Sequence, residues 1–252
     1  MKKVIGLWLV LVALSFTGGG FSSAVVAQSK PVSHAAFDQQ LKKFVSSNGT
    51  VNYKAWRQER PALQAYLKLL SENAPSSKWT QQEQLAYWIN AYNAFTIERI
   101  LMDYPVKSIK DLGGKVTFVN TVWDQKFFKI GGKAVDLNYI EHSILRKNFE
   151  EPRIHFAIVC ASVSCPKLRN EAFTAANLEK QLENQTIQFI NDPTKNKITA
   201  TKAELSEIFN WFSGDFRKNG TVLQFVNRYS KIKANPKAKI SYKDYNWALN
   251  GI

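Results

Sequence analysis

The chain has 252 residues, 34 Lys and Arg against 20 Asp and Glu, a formal net charge of +14, and two cysteines. With 45% hydrophobic residues it can fill a large core, which excludes a disordered chain. Two thiols are too few for a scaffold built on disulfides.

The N-terminus reads MKKVIGLWLVLVALSF, two lysines before an apolar run from Val4 to Phe16, followed by small residues as far as Ala27. This is the pattern of a secretory signal peptide. The run is shorter than the roughly 20 apolar residues that span a bilayer, and no cysteine precedes position 160 to carry a lipid. Residues 1–27 are therefore expected to be a removable signal, and residues 28–252 a single exported domain, periplasmic or extracellular, without a stable membrane anchor. Losing Lys2 and Lys3 takes the charge from +14 to +12. The remaining lysines are scattered, which suits solubility and weak association with anionic envelope surfaces. Export and the lack of a recognition motif argue against nucleic acid.

Phe37, Leu41, Phe44 and Val45 fall at helical spacing and predict a first amphipathic helix. A second helix is expected through WRQERPALQAYLKLLSEN, with Pro61 in its first turn. Thr80 followed by Glu83 is a capping box that opens a third, strongly apolar helix ended by Pro105. VTFVNTVWDQKFFKIGGKAVDL, β-branched and aromatic around Gly131-Gly132, predicts a hairpin. DLNYIEHSILRK returns to helical spacing, RIHFAIVCA suits a buried strand, and AANLEKQLENQTIQFIND is another helix. NKITATKAEL reads as strand or turn, IFNWFSGDF and TVLQFVNRY as helical pieces, and AKISYKDYNWALN as a final strand. The expected class is α+β, a single domain with its helix-rich N-terminal part packed on a small mixed or antiparallel sheet.

YWINAYNAFTIERIL, YPVKSI, VWDQKFFKIGG, LNYIEHSILR, PRIHFAIVCASVSCPKLRNEAF and YNWALN, in this order, resemble the domain of unknown function 547 family of exported bacterial proteins. The resemblance runs from about the second helix to the C-terminus. It implies a shared fold without an assigned chemistry, and it marks Asn90, Asn93, Glu141, His142, Arg153, His155, Cys160 and Cys165 as motif positions.

The cysteines admit three readings. In an oxidising compartment they pair, but a loop this short gains only about 2 kcal/mol. Alternatively Cys160 or Cys165 is a nucleophile, with His142 as base, Asn90 orienting the imidazole and Glu141 beside it; Asn93, Arg153 and His155 would then contact substrate. A strand over 155–160 would set His155 and Cys160 on opposite faces about 16 Å apart, which separates them. Asn90 and Asn93 lie one turn apart in an apolar helix, so their amides either tie neighbouring backbone or serve catalysis. A zinc site lacks a histidine pair at ligand spacing. No phosphate-binding loop or serine-hydrolase elbow occurs, and Trp88, Trp123, Trp211 and Trp247 are read as core builders. Two functions stay open: a thiol-dependent hydrolase or acyltransferase of the cell envelope, and a non-catalytic binding module with a Cys160–Cys165 disulfide. Either takes a small-molecule or envelope ligand and needs no cofactor or metal.

Overall fold

Where the sequence makes local demands, the backbone follows them. The computed structural model describes residues 30–114 and 121–252, so the expected signal peptide lies outside the described residues. Helix α1 (Ala35–Phe44) buries Phe37, Leu41 and Phe44, and Val45 then pairs antiparallel with Val51 across a turn. The expected second helix is two, α2 (Tyr53–Gln58) and α3 (Arg60–Glu72), broken at Glu59. Pro61 sits in the first turn of α3, because an unbroken helix would drive its ring into the carbonyl of Arg57.

Helix α4 (Gln81–Asp103) begins as expected: Glu83 N–H donates to Thr80 Oγ1 at 3.2 Å, and Thr80 N–H donates to Glu83 Oε2 at 2.7 Å. It is buried on nearly every face, and α3 packs against it through Tyr87 Oη, which donates to the Leu70 carbonyl at 2.6 Å. Replacing Thr80 with Ala should cost about 1 kcal/mol in urea unfolding, the usual value of such a cap.

Gly131 and Gly132, at φ 58° and 78°, turn β1 (Phe128–Ile130) into β2 (Lys133–Val135). Both central residues of this two-residue turn need positive φ, which explains the glycine pair. Residues 116–120 of the expected hairpin segment lie outside the described residues. The segment expected to continue helically is a π-helical turn, Tyr139–Leu145, running into the short α5 (Arg146–Asn148).

The strand expected over RIHFAIVCA is absent from this segment. Residues Pro152–Phe156 form a 3-10 turn opened by the Glu151 side chain, and the chain from Ala157 to Cys165 is irregular. Its apolar side chains are buried as a strand's would be, but its backbone is satisfied by the Asn93 side chain and by the C-terminal tail instead of a ladder.

Helix α6 (Leu178–Ile190) leads to β3 (Lys197–Ile198) and β4 (Lys202–Ser206), an antiparallel pair. After α7 (Ile208–Trp211), α8 (Ser213–Phe216) and α9 (Val222–Tyr229), β5 (Lys239–Lys243) joins β4 in parallel, with Lys202 opposite Lys239. The result is a single α+β domain with a mixed three-stranded sheet. One apolar cluster surrounds α4; a second gathers Phe156, Phe189, Phe209, Phe216 and Phe225 between α6 and β4. Among the described residues no helix is long and apolar enough to cross a membrane.

The expected final strand stops at Lys243, and the tail then threads between distant segments. Leu249 N–H donates to the Lys107 carbonyl, Val163 N–H to Ala248, and Ile252 N–H to Val51. Gly251 is required here: a Cβ at that position would lie 2.0 Å from the Val51 carbonyl oxygen.

Candidate functional site

Cys160 and Cys165 are bonded to each other, so neither sulfur is a free thiol. The turn between them passes through Ala161, whose φ of 57° is left-handed and unfavourable for a residue with a Cβ. That conformation is held from outside, by Asn250 N–H on the Ala161 carbonyl and by Ser164 N–H on the Asn246 carbonyl. The tail also brings Tyr245, whose Oη lies 3.2 Å from each sulfur and accepts from Ser162 Oγ at 3.3 Å. The Cys160 N–H donates to Cys165 Sγ at 3.0 Å.

Both cysteines line a cleft of about 180 Å3. Tyr92 of α4 and Glu141 and His142 of the π-helical turn reach it from one side. In a π-helix the N–H of Arg146 bonds the carbonyl of Glu141, five residues back, and this wider turn lets the adjacent Glu141 and His142 share the cleft. Trp123, Trp211, Tyr245 and Trp247 supply aromatic walls; the last three rings lie 4.6 to 5.8 Å apart, and Trp211 is 46% exposed. Trp88, Trp123 and Trp247 pack on the core as expected, and Trp123, Trp211 and Trp247 also line the cleft.

The polar groups are tuned by burial. Glu141, buried and accepting from Tyr92 Oη at 3.2 Å, has its carboxyl pushed up to about 7 by desolvation; that hydrogen bond and the charge of Arg146 offset this only in part. His142 is lowered by burial and by Arg146, whose guanidinium donates to its Nδ1 at 3.0 Å. His155 is lowered by burial despite a 2.8 Å bond from Nε2 to Asp215 Oδ2. Burial alone would raise Asp215, but the bonds from His155 and Arg146 outweigh it and hold that carboxyl well below the usual range. The bond to Asp215 assigns the imidazole proton to Nε2. Nδ1 is then a buried lone pair with no hydrogen-bond partner among the described residues.

Of the residues singled out from the sequence, Cys160, Cys165, Glu141, His142 and His155 share this cleft. With no strand over 155–160, the argument that kept His155 from the sulfurs does not apply. Asn90, Asn93 and Arg153 are not among its lining residues. Asn90 donates to the Phe173 carbonyl at 2.7 Å and accepts from Phe173 N–H at 3.0 Å; Asn93 makes the same pair of bonds with Ala157 and Val159. Both amides therefore tie down backbone, and the groups that orient the imidazoles are Asp215 and Arg146. Arg153 is held by Glu151 and Glu179. The sequence reading missed Asp215, Tyr92 and the tail residues Tyr245 and Trp247, although the closing YNWALN was noted as a motif.

Residues 76–190 match the family described as protein of unknown function, DUF547. The chain carries a DUF547 domain. The match includes Tyr92, Glu141, His142, His155 and both cysteines, whereas the resemblance noted from the motifs ran on to the C-terminus. Trp211, Tyr245 and Trp247 lie beyond the matched residues, as does Asp215, which holds His155, so the cleft is completed by chain outside them. No curated protein and no solved structure matches the chain.

Proposed function

We propose that this is an exported binding protein whose cleft takes one sugar-like ring carrying hydroxyl or amide groups. The observation that carries the reading is an aromatic cleft lined by His155, whose buried Nδ1 has no hydrogen-bond partner among the described residues. Buried polar atoms in folded proteins are nearly always paired, and an exception calls for an explanation. A lone pair at Nδ1 asks for a ligand that donates, as a hydroxyl or an amide N–H does. Glu141 complements it, able to donate below about pH 7 and accepting above. Trp211 and Trp247 offer flat apolar faces for the C–H side of a ring, and the volume equals that of about six waters, enough for one small ring.

Neutral monosaccharides and N-acetylated amino sugars, titrated against the tryptophan fluorescence of the full chain, test this. At least one should give a saturable change that weakens tenfold or more in Trp247→Ala. No saturable response to any of them, with the fold intact, would remove the proposal.

The thiol hydrolase or acyltransferase reading applies only to a reduced chain. Its supporting observation is that His155, bonded to Asp215 behind it, lines the same cleft as the sulfurs. In the bonded state neither sulfur can act as nucleophile, which favours binding for the oxidised protein.

A further inference from the structure

We propose that Cys160–Cys165 is a redox-active pair that exchanges with an external dithiol, Cys160 being the sulfur attacked and Cys165 the sulfur that leaves. This goes beyond the binding reading and does not depend on it.

A staple is not needed where this bridge lies. The turn is already fixed by main-chain bonds from the tail at Ala161, Val163 and Ser164 and by Asn93 at Val159. The bridge closes only four intervening residues, the arrangement that constrains an unfolded chain least. Its placement suits reactivity instead. Cys160 is partly exposed and Cys165 is buried, which distinguishes an entry sulfur from a resolving one, and both line an open cleft. Donors converge on the sulfurs: the Cys160 N–H on Cys165 Sγ and the Tyr245 hydroxyl within reach of both, while Ser162 Oγ, 3.3 Å from Cys160 Sγ, donates to Tyr245 Oη. Disulfide sulfur is a weak acceptor, so such donors matter far more to a thiolate. Left-handed Ala161 within the turn is the kind of strained residue that functional sites retain.

The exchange balances as follows. A thiolate of the partner attacks Cys160 Sγ, forming a mixed disulfide and breaking the Cys160–Cys165 bond; the electron pair stays on Cys165 Sγ, held by the Cys160 N–H and Tyr245. Glu141, which lines the same cleft as Cys165 and Tyr245, supplies the proton that makes Cys165 a thiol. The partner's second thiolate then attacks its own sulfur in the mixed disulfide and releases Cys160 as a thiolate, which takes a proton from water. Two electrons pass from the partner dithiol, which becomes a disulfide. The groups facing Glu141 are Tyr92 of α4, the neighbouring Arg146, Asp215 of α8 and Tyr245 of the tail, with His142 adjacent in sequence.

The full oxidised chain treated with dithiothreitol at pH 6 without denaturant, then alkylated and mapped by mass, provides the test. The bridge should open while the fold persists. In Cys165→Ser, Cys160 should form a mixed disulfide with oxidised glutathione at least tenfold faster than Cys165 does in Cys160→Ser. Glu141→Gln should slow reduction by about tenfold, less than general acids usually contribute because a thiolate leaves readily. A bridge that opens only after guanidinium unfolds the chain, or a faster Cys165, would overturn the proposal; an unchanged rate in Glu141→Gln would overturn the proton assignment. None of these readings needs a bound ring, so failure of sugar binding and failure of exchange are told apart.

Discussion

Glu141→Gln is expected to stabilise the protein above neutral pH and to leave it nearly unchanged near pH 5. The folded carboxyl titrates at about 7 against an ordinary 4.5, because burial disfavours its charged form more than Tyr92 and Arg146 favour it. A folded-state value raised in this way means that the native protein binds a proton that the unfolded chain has already released between these two pH values. The contribution is therefore fully present below about 4.5 and is lost as pH rises through 7. The shift corresponds to on the order of 3 kcal/mol. Glutamine is neutral throughout, and its carbonyl still accepts from Tyr92 Oη. Urea unfolding of both proteins at pH 5 and pH 8.5 checks this: the difference should grow by about 2.5 kcal/mol in favour of the variant, the remainder having developed already by pH 5. Parallel stability curves would show that the carboxyl titrates as if exposed.

What the sequence disclosed follows how locally each feature is determined. Thr80 and Glu83 cap α4 through bonds three residues apart, and Gly131-Gly132 must turn left-handed, so both could be read directly. Residues 155–160 could not be. An apolar run shows that side chains are buried but not what satisfies the backbone, and here Asn93, 66 residues away from Val159, replaces a strand partner. The site has the same character. Glu141, His142 and the cysteines stand in motifs that could be quoted, but Asp215 lies 60 residues from His155 and Tyr245 lies 80 from Cys165. Nothing near Asp215 in FSGDF distinguishes it from a solvated helix residue. Trp211 and Trp247 likewise look like core residues until the tail folds back across the cysteine turn. The break before Pro61 was visible in principle, since a proline in a first turn implies a helix that starts just before it.

Asp215→Ala should be among the most destabilising single changes in this chain. Asp215 accepts from His155 Nε2 at 2.8 Å and from Arg146 Nε at 2.6 Å, and its side chain is 16% exposed. Removing it leaves His155, whose Nδ1 already lacks a partner among the described residues, with both ring nitrogens buried and without a partner there. It also leaves a guanidinium without its carboxylate. Breaking a buried ion pair costs about 3–5 kcal/mol, but Arg146 is 29% exposed and can recover water, which places the expected loss at about 2–3 kcal/mol. Asp215→Asn keeps an acceptor for one donor and should lose less. The acid limb separates this account from simple loss of packing. Because the folded carboxyl is held below its ordinary range, its contribution is present above about pH 4 and disappears as the pH falls through the lower folded value. Urea unfolding of the wild type and Asp215→Ala should therefore converge as pH is lowered below 4. A gap of constant size at every pH would place the effect in the lost contacts of the side chain and not in its charge. With Asp215 absent, the His155 ring also loses the bond that fixes its tautomer, so any ligand donor read by Nδ1 should bind more weakly in Asp215→Ala than its stability alone explains.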